Sequence, residues 1–193
     1  MPRQPLVVRD ARPDDAGDLI RLWNEAGHGN EQPGSLAEDA AAAIAHLNAS
    51  SDERLLVGEA EGQLVAALHL RRAAISPIHT EQVVHTSFLL VLPEHRRHGH
   101  ARALLDAAAV WAEEKDIHHV SAITSSNLRE TNRFLARLGL GTIATVRLAP
   151  TAMLRKKLNP AASARGTRNI GQVLAARRTM RRHHEAAEAD QPG

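Results

Sequence analysis

The segment from residue 83 to residue 114 constrains the fold more than any other part of this 193-residue chain. Residues 83–92 form an apolar, β-branched run of the length of a buried strand. Residues 101–111 carry small and apolar side chains at helical spacing. The pattern predicts a strand that runs through a tight turn directly into a helix. The amide groups and dipole at such a helix start form a natural seat for phosphate oxygens.

The turn itself combines small residues with positive charge. Gly99 has no Cβ, so the backbone and a ligand can approach closely there. Arg96, Arg97 and Arg102 surround the same point. An ordinary β–α turn with solvated arginines could contain these residues too. The order of strand, turn, small residues and amphipathic helix nevertheless favours a pyrophosphate site.

The turn sequence Arg-Arg-His-Gly-His-Ala, residues 96–101, resembles the R/Q-x-x-G-x-G/A acyl-CoA signature of the GNAT (GCN5-related) N-acetyltransferases. Residues 91–95 and 103–105 are also similar to that family, and the resemblance extends over roughly residues 5–150. It implies acetyl-CoA as co-substrate, with its pantetheine paired along the strand and its pyrophosphate held by the turn. The cofactor-binding residues that it implies are Leu89, Val91, Arg96, Arg97, His98, Gly99, His100, Ala101, Arg102 and Asn127.

Periodicity and chain breakers along the whole sequence predict the order β-α-α-β-β-β-α-β-α-β, with a hairpin turn at Glu61 and Gly62 and a final strand at residues 141–148. Hairpins and crossovers together predict a mixed sheet of the α/β (α+β) class. The resemblance implies the same order: a GNAT fold with a central, mostly antiparallel sheet flanked by helices. Residues 151–158 fit either a last strand or a short helix.

The predicted domains are a GNAT acyl-CoA-binding domain at residues 1–158 and an Arg/Ala-rich C-terminal extension at residues 159–193, helical or partly disordered. Docking of this basic extension on a partner would make the chain an interaction protein, which is a third hypothesis for its function. The extension lacks aromatic residues for base stacking, so nucleic acid is not expected as a partner.

Acetyl transfer to an amine requires a neutral amine, a polarised thioester carbonyl and a stabilised leaving thiolate. GNAT enzymes often place a glutamate base on the strand before the turn. The corresponding positions here hold His85 and Ser87, which share one face of a strand. Glu81 is a further candidate. We predict that His85 deprotonates the acceptor directly or through water, the alternative being a hydrogen-bonded structural histidine.

The sequence departs from the family at the usual general acid. The phrase that carries a tyrosine in many GNAT enzymes reads Phe-Leu-Ala-Arg-Leu-Gly-Leu at residues 134–140, with Leu135 in the tyrosine position. The chain has no tyrosine at all, and Asn127 stands one position before the family's asparagine. The thiolate would leave unassisted, through water, or with help from Ser125 or Ser126. A catalytically weak acetyl-CoA sensor is therefore the alternative to an enzyme that acetylates a small-molecule or peptide amine.

Composition excludes several kinds of functional site and several classes of protein. There is no cysteine, so disulfides, thiolate metal sites and cysteine nucleophiles are excluded. The histidines in the turn and at His118 and His119 lack ligand geometry, so no metal site is predicted. No apolar run approaches a membrane span and the N-terminus lacks a signal-peptide core, so a cytoplasmic protein without membrane contact is expected. The family resemblance implies a homodimer.

Overall fold

The computed structural model describes residues 6–28 and 37–158 and contains one five-stranded sheet with the strands in sequence order. The first three strand pairs are antiparallel and the last is parallel. This confirms the predicted mixed, mostly antiparallel sheet. The strands are β1 (Val7–Asp10), β2 (Glu53–Ala60), β3 (Gln63–Ala74), β4 (Gln82–Val91) and β5 (Val120–Ile123).

Four helices accompany the sheet in the described residues up to Thr142. They are α1 (Ala16–Trp23), α2 (Ala37–Asn48), α3 (His100–Glu114) and α4 (Arg129–Arg137). A single 3-10 turn precedes α1 and a π-helical turn follows it. The residue predicted to cap α2, Ser35, lies outside the described residues. Within residues 6–28 and 37–158, no helix combines the length and apolar character needed to cross a bilayer.

Local backbone chemistry explains where these elements turn. Glu61 and Gly62 both have positive φ, 54° and 75°, as a two-residue type I′ hairpin requires, and this confirms the predicted β2–β3 hairpin. The parallel strands β4 and β5 are joined through α3, because parallel neighbours need a long crossover. At the end of α4, Gly139 takes φ 91° and the amide of Leu140 donates to the carbonyl of Leu135 at 3.1 Å.

The core is mainly aliphatic, as the scarcity of aromatic residues requires. Helix α3 buries Leu104, Ala108 and Trp111, spaced i, i+4 and i+7, against β2, β3 and β4. Helices α1 and α2 contact each other. Helix α1 also contacts β3, and helix α2 contacts β2. The three central strands β2, β3 and β4 are therefore packed against α3, the helix that follows the β4–α3 turn.

The chain divides into two units after Thr142, and residues 143–158 are the described part of the second unit. The predicted strand at residues 141–148 is wrong: no strand forms there, and the side chains of Ile143, Val146 and Leu148 are exposed. Alternating apolar residues form a strand only where a neighbouring strand pairs with their backbone groups and other residues cover their apolar face. The local sequence pattern does not specify whether such a neighbour is present. Residues 151–158 are helical, as α5 (Thr151–Leu158). The predicted C-terminal extension lies outside the described residues.

A half-buried ion cluster ties β1 to the start of α1 and to β2. The guanidinium of Arg9 donates to both carboxylate oxygens of Asp15 at 2.7 and 2.8 Å and to Glu59 at 2.9 Å. Asp15 also accepts the backbone amide of Arg12 at 2.6 Å. The hydrogen bonds from Arg9 lower the pKa of Asp15 below its usual range, and they raise the pKa of Arg9.

Truncating Leu104 to alanine is expected to destabilise the fold by about 2–5 kcal/mol, because the side chain is fully buried between α3 and the sheet. Val110, on the same helix but 46% exposed, provides the matched control, and Val110→Ala should change stability by less than about 0.5 kcal/mol. Urea denaturation measures both. Equal losses in the two variants would contradict the packing of α3 through its Leu104 face.

Replacing Asp15 with asparagine keeps an acceptor for the Arg12 amide but removes the charge facing Arg9. We expect a loss of about 1.5 kcal/mol near neutral pH. Because the folded-state pKa of Asp15 is lowered, its contribution is present above the unfolded pKa and disappears as pH falls through the folded pKa. The difference between wild type and Asp15→Asn should therefore stay constant down to about pH 5 and shrink between about pH 4 and pH 2. Urea denaturation across that pH range measures the free energy of unfolding, with Asp14→Asn, at an exposed position, as the control. A difference between wild type and Asp15→Asn that does not change with pH would contradict the charge interaction with Arg9.

Candidate active site

The β4–α3 turn has a backbone that places amide groups in one small region. After β4, a single 3-10 turn at Pro93–His95 leads to Arg97, which has φ 66°, and to Gly99, which has φ 92°. The first hydrogen bond of α3 joins the amide of Ala103 to the carbonyl of Gly99 at 3.0 Å. The amides of residues 100–102 therefore precede the intrahelical ladder, as expected for a helix N-terminus that can receive an anion.

Arginine side chains surround this turn without being buried in it. Arg97 is 90% exposed and lies 4.0 Å from Glu130 of α4, a pairing that contributes little to stability at such exposure. Arg96 donates through Nε to the carbonyl of Val91 at 3.4 Å, and Arg102 is exposed. The guanidinium groups can thus meet an anionic ligand from solvent at small cost in broken contacts.

The three histidines of the turn lie close together. The ring of His100 stacks on that of His98, with centroids 5.9 Å apart, and lies 6.1 Å from that of His95. His100 is nearly buried, and this desolvation, together with the neighbouring His95 and His98, lowers its pKa. A neutral His100 at physiological pH follows. Among the described residues, no group of three or more histidine and acidic side chains has the geometry of a metal site.

The pairing of strand β4 with strand β5 ends a few residues before this turn. The two strands pair from Val84 to Ser87 on β4, and β5 ends at Ile123 opposite Ser87. Phe88, with φ 53°, then forms a bulge, since the pairing with β3 skips from Ser87 to Leu90. Beyond the bulge Leu90 faces β3, and the amide of Leu92 donates to the carbonyl of Val65 at 2.9 Å.

Alternate residues of a strand direct their backbone groups to opposite sides. Leu89 and Val91 therefore direct theirs away from β3, to the side on which β5 has already ended. Along the chain, this edge at Leu89 and Val91 leads through the 3-10 turn at Pro93–His95 to the start of α3. An extended ligand could hydrogen-bond along the edge and place a charged end group at the helix start.

A row of polar side chains crosses the sheet from β2 to β4 and ends at Ser87. Ser87 Oγ lies 3.0 Å from His69 Nδ1 on β3, and His69 Nε2 lies 3.3 Å from Glu53 Oε2 on β2. Two residues before Ser87, His85 Nδ1 lies 2.6 Å from Ser121 Oγ on β5. The predicted candidates His85 and Ser87 thus share one face of β4, but each has its own partner. Sequence reasoning missed His69 and Glu53, because only strand register brings them beside Ser87.

The other predicted site residues occupy different places. Glu81 precedes β4 and pairs with His119 at 3.0 Å, about 20 Å along the strand direction from Ser87. It is not brought together with His85 and Ser87. Asn127 lies in the loop before α4, where its carbonyl accepts the amide of Arg129 at 3.0 Å. The loop is held instead by Asn132, whose side-chain amide donates to the carbonyls of Ser125 and Leu128 at 2.9 and 2.8 Å.

A buried leucine on α4 and an aromatic pair on α1 and β4 are two further features of the candidate site. Leu135, in the position where the family resemblance expects a tyrosine, is a buried side chain of α4 and has no proton to donate. At the end of α1, the ring of Trp23 contacts that of Phe88, with centroids 4.7 Å apart at 42°. The bulge of β4 therefore carries an aromatic surface next to the polar row.

Comparison with solved structures places the fold among acetyltransferases. A transcriptional regulator from Bacillus halodurans C-125 superposes with a TM-score of 0.68 at 15% identity, over 76% of this chain and 100% of that one. The aminoglycoside N-acetyltransferase AAC(6')-Iy in complex with CoA gives 0.64 at 17% identity, over 78% and 98%. A ribosomal-protein-alanine N-acetyltransferase from Brucella melitensis biovar Abortus 2308 gives 0.62 at 16%, over 76% and 99%.

At such low identity these likenesses concern the fold alone. A search of curated protein sequences found no significant match. The family model for the acetyltransferase (GNAT) family, by contrast, matches residues 18–140, which include the β4–α3 turn, the open edge of β4 and the polar row. This chain belongs to the GNAT family of acetyltransferases.

Proposed function

We propose that this protein is an N-acetyltransferase that transfers an acetyl group from acetyl-CoA to a primary amine. The observation that carries this proposal is the continuity of two binding elements. The edge at Leu89 and Val91 offers strand-like hydrogen bonds, and it leads into a turn whose amides precede helix α3. An acyl-CoA has the same two parts in the same order: an amide-containing pantetheine and a pyrophosphate.

The cofactor would bind mainly through the backbone. Pantetheine amides would pair with Leu89 and Val91, in the manner of an added strand. The pyrophosphate would meet the amides of residues 99–102 and the positive end of the α3 dipole. Arg96, Arg97, His98 and Arg102 would supply charge and donors around the phosphates, and Asn127 would contribute from the loop before α4.

The acceptor amine would approach the face of β4 that carries His85 and Ser87. Pantetheine bound along β4 directs the thioester end toward Ser87 and the bulge at Phe88. The aromatic pair of Trp23 and Phe88 would cover one side of the acceptor. Proteins with related folds are named for an aminoglycoside, a ribosomal-protein alanine and glucosamine-6-phosphate, all of which carry an amine. The shared chemistry supports an amine acceptor here.

A catalytically weak acetyl-CoA sensor is the second candidate, and a specific observation favours it. Leu135 is buried where many family members carry the tyrosine that protonates the thiolate, and the chain has no tyrosine elsewhere. Such a sensor would bind acetyl-CoA through the same edge and turn. It would differ only in the absence of amine-dependent release of CoA.

Substituting Gly99 with valine should weaken acetyl-CoA binding at least tenfold, because a β-branched residue does not adopt φ 92° without rearranging the turn amides. Gly139→Val is the matched control, since Gly139 has φ 91° and, like Gly99, has open space where a Cβ would lie. Isothermal titration calorimetry measures binding, with thermal denaturation to confirm that both variants fold. Equal affinity for acetyl-CoA in Gly99→Val and wild type would contradict pyrophosphate binding at the β4–α3 turn.

The transferase proposal is tested with purified wild-type protein and a panel of amines. The panel contains an aminoglycoside, an amino-sugar phosphate, a peptide with N-terminal alanine and a lysine peptide. We expect a Kd for acetyl-CoA on the order of 10 μM or below. We also expect amine-dependent thiol release, with an acetylated product seen by mass spectrometry. Binding without thiol release for every amine would favour the sensor, and absence of binding would overturn both candidates.

A further inference from the structure

A hydrogen-bonded row of three side chains connects three adjacent strands beside the open edge of β4. We call it the Glu–His–Ser row: Glu53 on β2, His69 on β3 and Ser87 on β4. The distances are 3.3 Å between Glu53 Oε2 and His69 Nε2 and 3.0 Å between His69 Nδ1 and Ser87 Oγ. The His69 side chain is 21% exposed and that of Glu53 is 31% exposed. The row is thus held within the sheet face and is still reachable from solvent.

The chemistry of the partners determines where the protons lie. A carboxylate only accepts hydrogen bonds, so the Nε2 of His69 that faces Glu53 carries the hydrogen. In neutral imidazole the Nδ1 is then an acceptor, and Ser87 donates its hydroxyl hydrogen to it. The remaining lone pairs of Ser87 Oγ are left to accept a hydrogen from a bound substrate. Arg71, whose Nε lies 3.7 Å from Glu53 Oε1, adds positive charge beside the carboxylate.

Ser87 is also the residue at which the sheet opens. It is the last β4 residue paired with both neighbours, His69 on β3 and Ile123 on β5, and the bulge at Phe88 follows it. A pantetheine lying along Val91 and Leu89 would reach Ser87 with its thioester end. The row therefore ends where an amine would attack the thioester.

We propose that the Glu–His–Ser row is the proton relay of acetyl transfer, with His69 as the proton acceptor; this inference rests on the proposed transferase function. A neutral amine attacks the thioester carbonyl carbon and forms the C–N bond. Its proton passes to Ser87 Oγ while the Ser87 hydroxyl proton passes to His69 Nδ1. The carboxylate of Glu53 stabilises the resulting imidazolium. The C–S bond then breaks, and the CoA thiolate takes the proton back from His69 through Ser87, which restores the row and leaves an amide and CoA thiol.

This relay addresses the missing tyrosine. The same imidazole accepts the proton from the amine and returns it to the thiolate, so a separate acid at Leu135 is not needed. His85 is placed less well for this role, because its Nδ1 lies 2.6 Å from Ser121 and it is two residues further from the open edge. Two residues along a strand correspond to about 7 Å.

Steady-state kinetics with an amine that the wild-type protein acetylates tests the relay. His69→Ala should lower kcat about 100-fold and leave the KM and Kd for acetyl-CoA close to wild type. Free imidazole added to His69→Ala should restore part of the rate, which a purely structural role for His69 would not predict. Ser87→Ala should lose activity while Ser87→Thr, which keeps a hydroxyl, should recover much of it. Glu53→Gln should lower kcat less than His69→Ala.

The matched control is His118→Ala, which removes an exposed histidine outside the row and should behave as wild type. The relay is overturned if His69→Ala turns over normally, or if His85→Ala loses activity and is rescued by imidazole while His69→Ala is not. Circular dichroism and acetyl-CoA titration of each variant separate misfolding from a chemical defect. Acetyl-CoA binding and wild-type turnover report on the proposed function independently of these variants.

A measurement that needs no turnover completes the test. Long-range ¹H–¹⁵N spectra of histidine-labelled wild-type protein should show His69 with its hydrogen on Nε2, with His69→Ala used to assign the signal. Ser87→Ala should shift the Nδ1 resonance, because that nitrogen loses its donor. A neutral His69 with its hydrogen on Nδ1 would overturn the relay even if no tested amine were acetylated.

Discussion

Backbone hydrogen bonding along β4 is the constraint on which the remainder of the site depends. From Val84 to Ser87 this strand is paired on both sides, and beyond the bulge the described pairing is with β3 alone. Backbone groups in the middle of a sheet need partners, and strand edges attract them. The carbonyl of Val91 meets Arg96, at 3.4 Å. The divergence of β4 from β5 thus supplies an extended binding edge at the base of the α3 N-terminus.

The bulge is maintained by what surrounds it. Phe88 has φ 53°, a conformation that costs free energy for a bulky residue. Pairing of β3 with β4 on both sides of the bulge and the ring contact with Trp23 hold Phe88 there. Beneath it, the fully buried Leu68, Leu70 and Leu104 make the sheet and α3 one packed unit. Strain at the site is thereby compensated by burial elsewhere.

The polar row shows how a sheet can create chemistry that no local motif contains. Glu53, His69 and Ser87 stand on separate strands, and each is an ordinary half-exposed residue when taken alone. Register brings them together because His69 is paired directly with Ser87, and Glu53 reaches it diagonally from two residues before Leu55, the β2 partner of His69. The result is a chain of hydrogen bonds from Glu53 through His69 to Ser87, next to the edge where an acyl thioester would lie.

Local sequence determined the strand–turn–helix, the hairpin at Glu61 and Gly62, and the end of α4 at Gly139, because each depends on neighbouring residues and on the φ angles that those residues permit. Only the tertiary structure decided that Ser87 meets His69 and that Glu81 lies far from both, since these contacts depend on strand register. It also decided against a strand at residues 141–148. An alternating sequence pattern indicates which face of a strand is apolar. Whether a neighbouring element covers that face depends on the whole fold.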